Sequence, residues 1–492
     1  MANITSAGTG NSNAGATWTG GSVPTSSDNA IIQNGHTVTQ NAAHTFKSLK
    51  VESGGVWTAD GSNHLTLSGE DDNHFAFRIQ GTYNHANGTV VINNGGGGIS
   101  HAAVQGGVAT STTGLYDLTI SGGGTTCEIF NTTTIHRNME AGGSETVLRG
   151  ALTVNGSLTV GATLTTIFSS TSHNLTVTGD ASVTGTLTGN ASAISLGSLT
   201  INSGGTYSAT SGTTTITDEN SSNYAIQNNG TFTHNSGTVS IETADHTSMA
   251  WSSANQRFNN LTINLGASAR SFTQASGIGD TDNKYIEGAL QIINSTYNVN
   301  NLELRVDGDV TLSTNAVLNG ATGDVKFGTL KVESGTTYNA TSGTTSLNAA
   351  GQGHSGNPSA MEIVSGGTFT HNNGTIKFNG ITDQDIEMDG TGNFYNLTLD
   401  KTNNDVIMHP NVTIENNLDV TLASDHTLRP ASTSNTVTVL NQTILRAGQI
   451  GATTAYDANH NWGTLTILGG TFIVGSGTNE VTAIRNVGGT IS

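Results

Sequence analysis

This chain of 492 residues has little of several things that most proteins rely on. It contains 1 cysteine and 4 prolines, 10% of its residues are charged, and aromatics make up 5%. A single cysteine, Cys127, excludes an intrachain disulfide and a cysteine-based metal centre. Against 35 acidic residues stand only 16 Lys and Arg, spread thinly, for a formal net charge of −19. Phosphate neutralisation needs clustered basic side chains, so nucleic acid is excluded as a partner. No apolar run is long enough to cross a bilayer, which excludes membrane insertion by helices. The opening residues MANITSAGTGNSNAG have neither the basic nor the apolar segment of an export signal, so synthesis in the cytoplasm without Sec-type export is expected. An amphipathic helix of three or more turns is also missing.

What is present is glycine, 64 residues of it, together with Asn, Thr and Ser. These suit turns and solvent-facing sheet and are poor helix formers. Apolar residues recur at every second position in short bursts, such as LTINSGG (199–205), VTIENNLDVTL (412–422) and LTILGGTFIV (465–474). Gly, Asn or Asp closes each burst, which is the pattern of strand, turn and strand.

The bursts repeat. GTYNHANGTVVIN (81–93), GTFTHNSGTVSIE (230–242) and GTFTHNNGTIKFN (367–379) are variants of one phrase. Each follows a second shared phrase: LKVESGGVWTADGSNHLTLSG (49–69), LTINSGGTYSATSGTTTIT (199–217) or LKVESGTTYNATSGTTSLN (330–348). Each precedes a third: DLTISGG (117–123), NLTINLG (260–266) or NLTLDKT (396–402). Matched phrases in one order, three times over, define three tandem super-repeats. A finer beat of about 22 residues suits one coil of a parallel β-solenoid, whose strands stack at about 4.8 Å.

The fold expected is therefore all-β: a right-handed parallel β-helix of about 22 coils and roughly 100 Å. Its parts are an N-terminal cap with the first coils (1–48), super-repeats over 49–198, 199–329 and 330–462, and a final coil (463–492). In the cap Trp18 covers the first core, Pro24 stops strand pairing, and Ile31–Ile32 start the apolar column. Strand text running to residue 492 points to a C-terminal edge covered by a partner. Within the phrase, Phe369 and His371 are expected on one side and Thr368 and Thr370 on the other. Gly374, like Gly88 and Gly237, falls where a turn would need positive φ.

The chemistry-bearing candidates are His85, His234 and His371, one per copy. Metal binding or acid–base work suits imidazole. Copies about six coils, hence about 30 Å, apart cannot share one ion. The reading that follows is a corner histidine hydrogen-bonded to backbone. The acidic clusters GEDDNH (69–74), GDTDNKYIEG (279–288) and DQDIEMDG (383–390) match no calcium-loop pattern and are read as solvated turns. NNGGGGIS (93–100) has no Lys–Ser or Lys–Thr after it, so it is not a phosphate loop. Neither a catalytic residue, a metal nor a cofactor is assigned.

The stretch WTGGSVPTSSDNAIIQNGHTVT (18–39), followed by LKVESGG and the GTFTHNNGT and NLTI units, resembles β-helical surface and fibre proteins of tailed bacteriophages and of bacteria. The resemblance implies a structural, non-enzymatic virion protein for host attachment or display: a tail fibre, spike or capsid-surface fibre. Its partners would be other virion proteins, further copies of itself (a trimer is favoured) and a host-surface glycan. A glycan depolymerase on the same scaffold, or a bacterial surface adhesin lacking its export signal, are the alternatives.

Overall fold

The structure is a computed structural model and describes residues 2–93, 101–105, 112–122, 126–143, 145–251, 257–274, 285–349, 359–382, 384–432, 434–451, 459–474 and 479–492. It is all-β, with 56% of residues in strands that form a parallel solenoid of about 19 turns. Among the described residues the only helical pieces are two 3₁₀ turns, Gly15–Thr17 and Thr19–Gly21. The turns number fewer than the expected 22 because the step between coils varies. Met139 pairs with Leu158 after 19 residues, but Leu330 pairs with Met361 only after 31. Corners absorb the extra residues while the strands stay in register. The chain divides into two compact units, Met1–Val239 with Trp251–Gln256, and Ser240–Ala250 with Arg257–Ser492.

In the first unit one parallel sheet begins Asn3–Thr5, Asn29–Ile32, Ser48–Val51 and Phe75–Ile79, one strand per coil. A second face stacks Leu118, Met139, Leu158, Ala181, Leu199 and Ile226 as successive register partners, each at most 1% exposed. Alternation along each strand sends these side chains inward, and in-register stacking turns every inward position into a continuous column. Burying one such aliphatic side chain contributes about 1.5–3 kcal/mol.

The cap sits at the start of this unit. Trp18, 1% exposed, lies between the two 3₁₀ turns and meets Phe46 edge-on with ring centroids 6.2 Å apart. Its indole N–H donates to the Ser12 carbonyl at 2.8 Å, so the covering ring is also polar-satisfied. Pro24 is buried in the loop that leads to Asn29–Ile32. There the inward residue is Ile32, fully buried, while Ile31 faces outward. The column also starts one strand earlier than the text suggests, because Asn3–Thr5 pairs with Asn29–Ile31.

The second unit repeats the principle. Leu261, Leu290, Val310, Leu330, Met361, Ile386 and Met408 are consecutive register partners. Outside the core an amide ladder climbs three coils: Asn319 Nδ2 donates to Asn298 Oδ1 at 2.7 Å, and Asn339 Nδ2 to Asn319 Oδ1 at 2.8 Å. At its last described coil, Asn479–Asn486, the apolar side chains Ile484 and Val487 are 51% and 61% exposed.

Candidate functional site

Each copy's corner histidine makes the same local bond. His85 Nδ1 accepts from the Asn87 amide at 3.0 Å, His234 Nδ1 from Ser236 at 3.0 Å, and His371 Nδ1 from Asn373 at 2.9 Å. The tight corner that allows this puts two residues in the left-handed region: Ala86 and Asn87, Asn235 and Ser236, Asn372 and Asn373. The glycine that follows is not one of them. Gly374 and Gly237 are needed for space instead, because a Cβ there would collide with the carbonyl oxygen of Thr341 or Thr210 in the neighbouring coil. At Gly88 the nearest atoms, the carbonyls of Asp60 and His85, stand 3.0 and 3.1 Å away. His371 is also less inward than Phe369, which is 3% exposed, since the chain has begun to turn at that point.

Beyond the corner the copies diverge. In the first, His85 stacks on Tyr116 (5.0 Å, 28°) and lies 4.9 Å from His136. The Arg137 guanidinium sits 5.0 Å from the Tyr116 ring centroid. Arg137 also grips Asp117 through two hydrogen bonds, Nε to Oδ1 at 2.9 Å and Nη2 to Oδ2, and the Asn138 amide donates to Asp117 Oδ1 at 3.0 Å. That carboxylate raises the Arg137 pKa, chiefly by hydrogen bonding and then by charge, and so holds the guanidinium cationic. Beside this cluster lies a polar groove of about 390 Å³, walled by Ser62, Asn63, His64, Asn87, Asp117 and Arg137 among others.

In the third copy His371 stacks on Tyr395 (5.4 Å, 23°), and its Nε2 meets Glu415 Oε2 at 3.2 Å. Where the first copy has Asp117 and Arg137, register places Asn396 and Asn416. Asn416 Nδ2 donates to Asn396 Oδ1 at 2.9 Å, and Asn441 continues the ladder at 2.8 Å. The second copy has Asn259 at the tyrosine position and Gly288 at the arginine position. Sequence reading singled out the histidines but missed Tyr116, Asp117 and Arg137. For Asp117 and Arg137 the usable signal was the departure of one copy from both others at aligned positions; Tyr116 recurs in the third copy as Tyr395.

The acidic clusters also separate. In GEDDNH, Asp71 caps a turn by accepting from the amides of Asn73 and Phe75 at 2.8 and 3.0 Å, a solvated turn as expected. Of GDTDNKYIEG, residues 279–284 lie outside the described residues, as do 94–100 of the glycine run. Glu287 pairs with Arg257 at 2.8 Å. DQDIEMDG departs from expectation. Asp383 is outside the described residues, but Asp385–Met388 is a strand, and Asp385 and Glu387 are each 3% exposed. Ile386 and Met388 face the core and hold the strand in place. Glu387 then falls in an outward row with Lys331, Glu362 and His409, one residue per coil. Ser359 Oγ donates to Glu387, Lys331 Nζ lies 3.7 Å from Glu362, and His409 Nε2 lies 3.4 Å from Asp385. Neighbouring carboxyls on a sheet disfavour one another, and the Lys331 ammonium at one end of the row offsets that.

Cys127 is fully buried, and burial with the neighbouring Glu128 pushes its thiol up to about 12, far from the reactive range. No family model, curated protein or solved structure matches this chain.

Proposed function

We propose that this protein is a structural, non-catalytic attachment protein, a β-helical fibre or spike component of a tailed bacteriophage particle, whose coil faces contact a host surface. The observation that carries the reading is how side chains on the coil faces are used. Asn298–Asn319–Asn339 and Asn396–Asn416–Asn441 tie coil to coil through side-chain amides, so the scaffold holds surface groups at a fixed spacing. A stiff, regular support for repeated weak contacts suits attachment, because linked contacts add without further ordering of the chain. Labelling intact particles with an antibody against this chain tests the placement. Adsorption of the purified protein to host cells tests the activity, and neither label nor adsorption would sink the proposal.

A second reading is supported by the Glu362–Glu387 row. The strands carrying these two register partners stack about 4.8 Å apart, a spacing comparable to the roughly 5–5.5 Å between carboxyl groups in retaining glycosidases. On this reading the chain cleaves a host glycan with these two groups. Incubation with host capsule, with reducing ends counted, decides it: release abolished by Glu387→Gln favours cleavage, and no release favours attachment alone.

A further inference from the structure

Three departures of the first copy from its siblings meet at one place. The turn after the first aromatic strand is a residue longer: Ala59 to Leu65 spans what Ala340 to Thr345 spans with one fewer. Those extra-turn residues, Ser62 to His64, form one wall of the 390 Å³ groove. Asp117 stands where the other two have Asn260 and Asn396, and Arg137 where they have Gly288 and Asn416, beside a Tyr116 that the third copy keeps as Tyr395. A turn insertion and an ion pair are unrelated changes, and neither is needed by the coil, which the other copies build without them.

We infer that this groove is a saccharide subsite that takes a neutral hexose unit of a surface glycan. The inference rests on the attachment reading above and places it at named residues. The argument is one of donors, acceptors and charge. Asp117, 7% exposed, accepts three hydrogen bonds, from Arg137 Nε, Arg137 Nη2 and the Asn138 amide. A carboxylate has about four acceptor positions, so one remains. Arg137 uses two of its five N–H groups on Asp117 and lies 55% exposed at the groove.

A remaining acceptor next to remaining donors, held rigid by the bidentate pair, matches two adjacent sugar hydroxyls. One hydroxyl donates to Asp117 while its neighbour accepts from Arg137. The Tyr116 ring beneath the guanidinium fixes its plane, so little side-chain freedom is lost on binding. The remaining wall is polar, with the hydroxyls and amides of Ser62, Asn63, Asn87 and Thr89, and a volume near 390 Å³ falls in the range of small-ligand sites. Charge selects against acidic sugars. The two ionic groups of the groove cancel each other, and the chain carries −19 overall.

The test is retention of the full chain on an immobilised panel of neutral hexose oligosaccharides beside sialylated, uronate-containing and sulphated ones, followed by calorimetry with the best-retained neutral oligosaccharide. Neutral oligosaccharides are expected to bind best. Arg137→Ala should weaken binding at least tenfold, and Ser62→Trp, an exposed turn position that fills the groove without touching the ion pair, should do the same. Asn416→Ala in the third copy should leave affinity within twofold. Thermal melts of each variant separate lost binding from lost folding, and Ser62→Trp keeps the test decisive if Arg137→Ala is unstable. Preference for acidic glycans, or unchanged affinity in folded Ser62→Trp, overturns the subsite. Adsorption to cells with no retention on the panel also overturns it but leaves the attachment reading standing, whereas no adsorption at all removes that reading itself.

Discussion

His85 and His371 occupy the same corner of the same phrase, accept the same backbone hydrogen bond and stack on a tyrosine from the next coil. Around the first stands an ion pair beside a groove; around the second stands a ladder of amides. The comparison teaches that a solenoid separates scaffold from surface. Inward positions must match the coil on either side, so they stay apolar or, as at Thr345, pair their polar atom inside the core. Outward positions answer only to their immediate neighbours, so a pair of substitutions, Asp117 for Asn and Arg137 for Asn, replaces a ladder of amides with an ion pair.

The comparison can be broken hardest at the corner glycines. Gly374→Ala forces a methyl against backbone and is expected to destabilise by about 3 kcal/mol, whereas Gly88→Ala, with looser neighbours, should cost about 1 kcal/mol. Denaturant titration of both variants checks this, and equal losses would show the corners differ in packing from what is described. Smaller and opposite in sign are two phenol deletions. Tyr338 donates to or accepts from the buried Thr345 hydroxyl at 2.7 Å, so Tyr338→Phe should cost about 1–2 kcal/mol. Tyr83 is buried with no hydrogen-bond partner on its hydroxyl among the described residues, and Phe369 stands at its place in the third copy. Tyr83→Phe is therefore expected to be neutral or stabilising by up to about 1 kcal/mol, as a melting shift would reveal.

Acid should act on the first unit through His44, whose pKa is lowered by burial. Above the unfolded value near 6.5 neither state is protonated there and nothing is lost. As pH falls below that value the unfolded chain takes a proton that the folded one resists, so stability declines until the folded pKa is passed, by about 1.4 kcal/mol per unit of difference. Melting at pH 7 and pH 5 should show the loss, and His44→Phe should remove its share. The smallest effect expected is at the ladder. Asn319→Ala should cost about 1 kcal/mol, with binding to any glycan unaltered.

Alternation and internal copying made the fold class legible without coordinates, because a period of two with glycine-marked corners has few solutions other than stacked strands. They also drew attention to Trp18, which is buried edge-on to Phe46, because a large aromatic beside an apolar column has somewhere to go. The groove was not legible. Asp117 and Arg137 are 20 residues apart in the chain and adjacent only because Leu118 pairs with Met139. The acidic strand Asp385–Met388 read as a turn because a carboxyl's burial depends on what covers it, such as Ser359 from another coil.

By itself, then, the sequence determined that strands form, which face of each is apolar, and that three passages share one plan. Those are local properties, set by backbone sterics and by the free energy of hiding every second side chain from water. Tertiary structure alone decided the register between coils. It thereby chose which outward residues became neighbours, why Gly374 tolerates no methyl group, and where donor and acceptor stand together. Contacts between coils depend on corner lengths summed over 19 to 31 residues, and a shift of one residue would change every partner.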